Sequence, residues 1–314
     1  MTWFALATYK RAGAIAPAIV IDEEVYDLAS VAEASAAPVP AEWLTGGGAA
    51  ILANWATERE AIQRLGESVA DQVARKKVAP VPGGVGALDA PLRPTRIFCA
   101  ASNYVDHAKE MGTALAAKEH SKPYMFVKLQ NSVIGPWDTV RKPPETERLD
   151  WEVELAVVIS RRARRISGAD ALDYVAGYAV INDVSARDLT KRHDYPFTFD
   201  WFQGKCHDSF APLGPWIVPS WLIEDPQKLR LRLTVNGEVM QDDSTSNMIW
   251  NVREQIAYLS TIVTLEPGDV IATGTPTGVG MGRGVFLKPG DVMEASIDGI
   301  GSIRNPVEAE QIRK

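Results

Sequence analysis

The stretch Asp150-Trp151-Glu152-Val153-Glu154-Leu155-Ala156-Val157-Val158-Ile159 decides how this chain is read. Trp151, Val153, Leu155, Val157 and Ile159 alternate with the period of a β-strand that has one apolar face. Residues two apart on a strand project to the same side, so Glu152 and Glu154 leave it together, opposite the apolar set. Two adjacent carboxylates in surroundings that read as core repel one another unless they are solvated or share a cation. A hard divalent ion such as Mg²⁺ takes oxygen ligands and keeps several waters, so few carboxylates suffice to hold one. A half-exposed strand carrying two surface glutamates fits the same letters, and these residues alone leave both readings open.

Three flanking segments add candidate chemistry. Residues 176–182 (AGYAVIN) form a second apolar strand that ends at Asp183, with Ser185 and Arg187 beyond it. An acid at a strand end suits a site, and it suits a turn or cap equally well. Residues 103–112 predict a short helix stopped by Gly112, on which His107 and Glu110 lie three apart and are neighbours. A carboxylate beside an imidazole orients it and raises its basicity, as a general base requires; a surface ion pair has the same spacing. In residues 202–210 (FQGKCHDSF), Lys205 suits neutralisation of an anionic substrate oxygen. Cys206 and His207 beside it read as packing and structural residues. Residues 272–280 (ATGTPTGVG) make a tight turn whose backbone and hydroxyls suit a carboxylate; no Gly-Lys-Ser/Thr follows, so it is no Walker A loop.

Elsewhere the pattern is ordinary. Leu229, Leu231, Leu233 and Val235 alternate and run into Asn236-Gly237, a type I′ hairpin signal. Asn251 and Glu254 predict a capping box for a helix with Val252, Ile256, Leu259 and Val263 as its buried stripe. The first 30 residues suggest short strands around a turn at Asp22-Glu23-Glu24. Ile51, Leu52, Trp55, Ile62 and Leu65 predict a helix from about 49 to 64, stopped by Gly66. Pro80-Val81-Pro82-Gly83-Gly84, with Pro91 and Pro94, marks a linker. The expected division is a small domain over 1–78, a linker over 79–94 and a metal-dependent catalytic domain over 95–314.

Across 314 residues, 46% hydrophobic and 23% charged side chains describe a globular protein with a substantial core. A net charge of −7 speaks against nucleic acid, whose phosphates require clustered cations; the run Arg161, Arg162, Arg164 and Arg165 reads as a solvated turn. Nothing approaches the roughly 20 apolar residues of a membrane span, and no signal peptide is evident. Two cysteines, Cys99 and Cys206, make neither a disulfide framework nor a zinc site. A reduced, cytoplasmic protein is the expectation.

Taken in order, the segments resemble the fumarylacetoacetate hydrolase family, in particular its acylpyruvase-like and 2-hydroxymuconate isomerase-like bacterial catabolic branch. The resemblance spans about residues 95–307 and rests on NYVDH at 103, EVE at 152, NDVSARD at 182, QGKCHDSFAPLGPW at 203, VNGEVMQDDST at 235 and ATGTPTGVG at 272. It implies an α+β, β-rich fold: a mixed β-roll catalytic domain behind a small N-terminal α+β domain, assembled as a homodimer. It puts Glu152, Glu154 and Asp183 on the family's metal ligands, for Mg²⁺ or Mn²⁺, with Ca²⁺ a further option. His107 and Glu110 fall on its water-activating dyad, carried on a segment that orders with substrate, and Lys205 on its catalytic lysine. Arg187, Gln203 and Thr275 fall on positions that contact substrate oxygens. The implied activity is hydrolysis of a C–C bond in a small 1,3-dioxo acid of acylpyruvate or fumarylpyruvate type, in carboxylic or aromatic acid catabolism. The alternative is decarboxylation or tautomerisation of a 2-oxo diacid, of oxaloacetate or 5-carboxymethyl-2-hydroxymuconate type, through the same enolate; a non-catalytic metal-binding relative stands third. Ser102, Cys206-His207 and the aromatic loop 191–201 depart from the family pattern, all near the substrate side.

Overall fold

In the computed structural model, residues 2–34, 39–45, 47–53, 55–112 and 114–312 are described. The acidic stretch becomes the strand Val153–Ile159 at the centre of an 11-stranded mixed sheet. On one side it pairs antiparallel with Val175–Asn182, setting Val153 opposite Asn182; on the other it pairs antiparallel with Val270–Ala272. Beyond Val270–Ala272 come Arg96–Ala101, in parallel, and the edge strand Tyr124–Leu129. A second sheet has five strands in the order Glu238–Ser244, Arg230–Val235, Val292–Ile297, Gly301–Ala309, Val140–Lys142.

The central strand is buried on both faces, not on one as its alternation suggests. Val153, Leu155, Val157 and Ile159 join Leu231, Leu233, Ile297 and Ile303 in a core that includes the second sheet's residues. Ala156 and Val158 join Ile51, Leu52, Trp55, Ile62 and Leu65 from the N-terminal helices. Covered sheets of this kind produce near-continuous apolar runs. Glu152 and Glu154 share the parity of Ala156 and Val158, so this face is apolar at one end of the strand and acidic at the other.

The helical expectation near 49–64 resolves into Gly47–Ala53 and Trp55–Ala74. The second helix continues through Gly66 instead of stopping there. A Cβ on Gly66 would lie 2.3 Å from the Phe4 ring, so glycine serves close packing rather than termination. The capping box at Asn251 and Glu254 forms, and Asn236-Gly237 closes its hairpin with φ of 52° and 83°. The N-terminal strands are not a separate sheet: Ala5–Arg11 pairs with Ala211–Pro219 through Leu6 and Ile217, so segment 1–78 extends the central sheet across the predicted 79–94 boundary. No helix among the described residues is long and apolar enough to cross a membrane.

Candidate metal centre and active site

Strand pairing brings the three predicted acids together. Asp183 follows directly on the strand Val175–Asn182, and its N–H donates to the Glu152 carbonyl, fixing the two strand ends side by side. Glu152, Glu154 and Asp183 are all buried, and one carboxylate oxygen from each lies within 4.8 Å of the others.

Cations surround them. The Lys205 ammonium bridges Glu152 Oε2 at 2.6 Å and Asp183 Oδ2 at 2.8 Å. Lys128 Nζ reaches the other Asp183 oxygen at 2.5 Å and donates to the Val184 carbonyl at 2.9 Å. Arg187 Nε donates to Asp150 at 2.7 Å, while its Nη2 lies 2.5 Å from Glu152 Oε1 as an ion pair without hydrogen-bond alignment. Glu154 accepts only the Gly274 N–H, at 2.7 Å, among the described partners.

This asymmetry sets the electrostatics. Burial disfavours charge on Glu152, yet Arg187 and Lys205, helped by His107, outweigh it and hold the carboxyl well below its ordinary range. Glu154 goes the opposite way: burial, then the Asp183 and Glu152 charges, push it well above that range. Burial acts against the Lys205 charge, but Asp183 and Glu152 more than compensate, so the ammonium is held protonated. Four acids (Asp150, Glu152, Glu154, Asp183) face three cations (Lys128, Arg187, Lys205), which leaves one negative charge in excess. Such an excess in a low-dielectric site is relieved by a proton or a cation. Three converging carboxylates, one of them short of positive partners, fit a divalent ion that prefers oxygen ligands.

The glycine-rich turn sits over this cluster for steric reasons. Gly274 has φ +98°, and a Cβ there would lie 2.6 Å from Asn103 Cβ; its absence lets the backbone reach Glu154. Gly278, at φ +101°, donates its N–H to both Glu110 oxygens at 3.0 and 3.1 Å. His107 lies buried on the short helix Val105–Glu110, its Nδ1 3.3 Å from Glu110 Oε2. Burial raises the Glu110 pKa, but the bond to His107 and the Gly278 N–H win, and the carboxyl stays below its ordinary value.

The predicted substrate contacts are placed unequally. Arg187 is in the cluster. Thr275 is buried, but its hydroxyl donates to the Val153 carbonyl and accepts from Gln241, so its proton is already committed. Gln203 is exposed; its backbone N–H donates to Asp200 and its carbonyl accepts from His207. His207, bonded to the Gln203 carbonyl, and Cys206, directed at the Val127 carbonyl, take structural places.

Sequence reasoning missed Lys128 and the role of Asp150. Lys128 occupies an inward position of the edge strand, and its signal is a lysine in phase with Phe126 there. Asp150 accepts the N–H groups of Gly280 and Met281 while holding Arg187, tying the glycine-rich turn to the acids.

Residues 96–308 match the family model described as fumarylacetoacetate (FAA) hydrolase C-terminal. Over 217 residues the chain is 42% identical to the Rattus norvegicus protein named oxaloacetate tautomerase Fahd2a, mitochondrial, which covers 68% of this chain and 67% of that one. A solved fumarylacetoacetate hydrolase (EaFAH) from psychrophilic Exiguobacterium antarcticum matches with TM-score 0.79 and 33% identity, over 98% of this chain and 100% of its own. Maleylpyruvate hydrolase from Sphingobium sp. SYK-6, solved with manganese(II) and pyruvate, matches with TM-score 0.73 and 27% identity, again over 98% and 100%. The motifs, the sheet and these likenesses agree, and the chain belongs to the fumarylacetoacetate hydrolase family.

Proposed function

We propose that this chain is a divalent-metal-dependent enzyme that interconverts keto and enol forms of a short 2-oxo diacid, as an oxaloacetate tautomerase does. The observation that carries the reading is the division of labour inside the cluster. Lys205 is held protonated between Glu152 and Asp183, so it suits stabilising a developing oxyanion and not removing a proton. Histidine is the side-chain type that exchanges protons near neutrality, and His107 is the one the site presents, oriented by Glu110. In the proposed cycle His107 takes the proton from the carbon next to the oxo group and returns one to the enol oxygen, with no water consumed. A bound divalent ion, held by Glu152, Glu154 and Asp183, would supply Lewis-acid polarisation of the oxo group. It would also turn the cluster's single negative excess into a single positive one, which favours an anionic substrate.

The rat relative's name supports this reading over the C–C hydrolysis that the motifs placed first. Hydrolysis remains the second reading, supported by the maleylpyruvate hydrolase likeness: the same dyad would activate water against a 1,3-dioxo acid. Assembly as a homodimer belongs to the proposal as well. The edge strand Tyr124–Leu129 turns Tyr124, Val127 and Leu129 to solvent, an apolar edge of the kind that proteins cover.

The test is a side-by-side assay of oxaloacetate tautomerisation, acylpyruvate cleavage and isomerisation of an unsaturated 2-oxo diacid, with Mg²⁺, with Mn²⁺ and after chelation. Oxaloacetate is expected to be the best of the three, with activity lost on chelation; faster acylpyruvate cleavage would hand the function to the hydrolase reading. His107→Ala is expected to lose about 10²–10⁴-fold in kcat while still binding metal.

A further inference from the structure

A second cleft, of about 530 Å³, shares no residue with the carboxylate cluster. It lies where the N-terminal strands meet the strand Ala211–Pro219 and the turn between Val292–Ile297 and Gly301–Ala309. Trp3, Trp137 and Trp216 line it. The rings of Trp3 and Trp216 stand 5.9 Å apart at 75°, forming an aromatic corner. The indole N–H of Trp137 donates to the Val85 carbonyl and that of Trp216 to the Ile300 carbonyl. Both donors are therefore spent on backbone; Trp216 is itself buried beneath Trp3, and the half-buried Trp3 and Trp137 are the rings that leave π surface to the cleft.

The same cleft is lined by Asp22 and Glu23, the two central residues of the hairpin between Ala14–Ile21 and Glu24–Asp27. Both are left-handed, with φ of 49° and 62°, at turn positions that favour asparagine and glycine. Both are exposed, and neither has an ion-pair or hydrogen-bond partner among the described residues. Among the described residues, no lysine or arginine lines the cleft.

We infer that this cleft binds a small organic cation of the alkylated-ammonium class, seated against the Trp3 ring, which Trp216 backs from the core, with Asp22 and Glu23 as its counter-charges. Aromatic faces attract cations through the ring quadrupole, and two uncompensated carboxylates add to that pull. The volume is that of a small-molecule site. An anionic oxo-acid is repelled by the same features, so the ligand is not the substrate of the carboxylate cluster.

The experiment uses the full chain and two probes of nearly equal shape, choline and its neutral carbon isostere 3,3-dimethyl-1-butanol, titrated by saturation-transfer NMR and tryptophan fluorescence. Choline is expected to saturate and to bind about 10-fold or more tightly than the isostere. The Asp22→Asn/Glu23→Gln pair, on an exposed turn, is expected to remove about that advantage while isostere binding and metal-dependent turnover stay unchanged. Trp3→Leu is expected to weaken both probes, with the thermal transition showing that the variant is folded. Equal binding of the two probes, no saturation by choline, or an unaffected double variant overturns the inference. Because turnover on the oxo-acid is read separately, failure here is distinguishable from failure of the proposed enzymatic function.

Discussion

Glu152, Glu154 and Asp183 stand on or directly beside paired strands at the centre of the sheet, each buried and each tied to a named partner. The aromatic segment 191–201, only a few residues before Lys205, is built in the opposite way. Tyr195, Phe197 and Phe199 are 57%, 73% and 55% exposed, and at the segment's end Phe199 stacks on Trp201, which stacks in turn on Phe126. A register slip on the central strand would turn both glutamates to the other face, so the charge geometry is specified as strictly as the fold. A loop of exposed rings carries no such constraint. The contrast separates the chemistry shared across a family, which the sheet holds, from the choice of substrate, which loops are free to vary.

The largest effect should come from the strand-built half. Glu154 is the acid least compensated by positive charge, so replacing it removes one of the three proposed metal ligands without breaking a lysine bridge. Glu154→Gln is expected to lose about 10²–10³-fold in kcat and to weaken Mn²⁺ binding measured by calorimetry. Its carboxyl titrates above the ordinary 4.5 in the folded protein, so charging it costs stability as pH rises past the unfolded value. The metal-free variant should therefore unfold at the same or a higher temperature than the metal-free wild type. Retained metal-dependent turnover would break the contrast at its strongest point.

Lys128 tests the same half by stability. It is buried against Asp183 Oδ1, and its removal leaves that oxygen without a cation partner. Lys128→Met is expected to destabilise the metal-free protein by about 3–5 kcal/mol, read from urea unfolding, as for other broken buried pairs. A change well under 1 kcal/mol would mean that Lys205 alone neutralises Asp183.

Glu110 lies between the two regimes, on a short helix held to the glycine-rich turn. Because its folded pKa is lowered from 4.5, it contributes stability that is fully present above that value and is lost as pH falls through the lower folded one. The difference in Tm between wild type and Glu110→Gln should be constant near neutrality and shrink in acid. A difference that stays flat down to the acid transition would show that the His107 and Gly278 contacts do not favour the carboxylate.

What the letters disclosed follows the same divide. The alternation at 151–159, the Asn236-Gly237 hairpin and the Asn251–Glu254 box are local, and the structure contains all three. Lys128 was hidden because its strand inverts the usual pattern: Lys128 is buried while Val127 and Leu129 are 49% and 40% exposed. Only the three-dimensional fold, which brings Lys128 to Asp183, reveals its partner. Gly66 misled for a related reason, since the Phe4 ring that demands a glycine there comes from the N-terminal segment. Thr275 and Gln203 carry polar groups whose sequence is compatible with ligand contact. Which hydroxyl is already committed to Val153, and which amide faces solvent, is set by tertiary packing.

The smallest expected effect is on the loop, and it sharpens the comparison from the other side. Phe197 is the most exposed of the large hydrophobic residues among those described. Truncating such a side chain should change stability by no more than about 0.5 kcal/mol, and it lies outside the bonding that fixes Glu152, Glu154 and Asp183. Phe197→Ala is therefore expected to keep the wild-type Tm and Mn²⁺ affinity. If the loop selects substrate, the ratio of kcat/KM between oxaloacetate and a bulkier 2-oxo diacid should shift by about 10-fold, the scale of one apolar contact. A uniform fall in kcat for both substrates would place the loop with the chemistry instead and erase the division between the two regions.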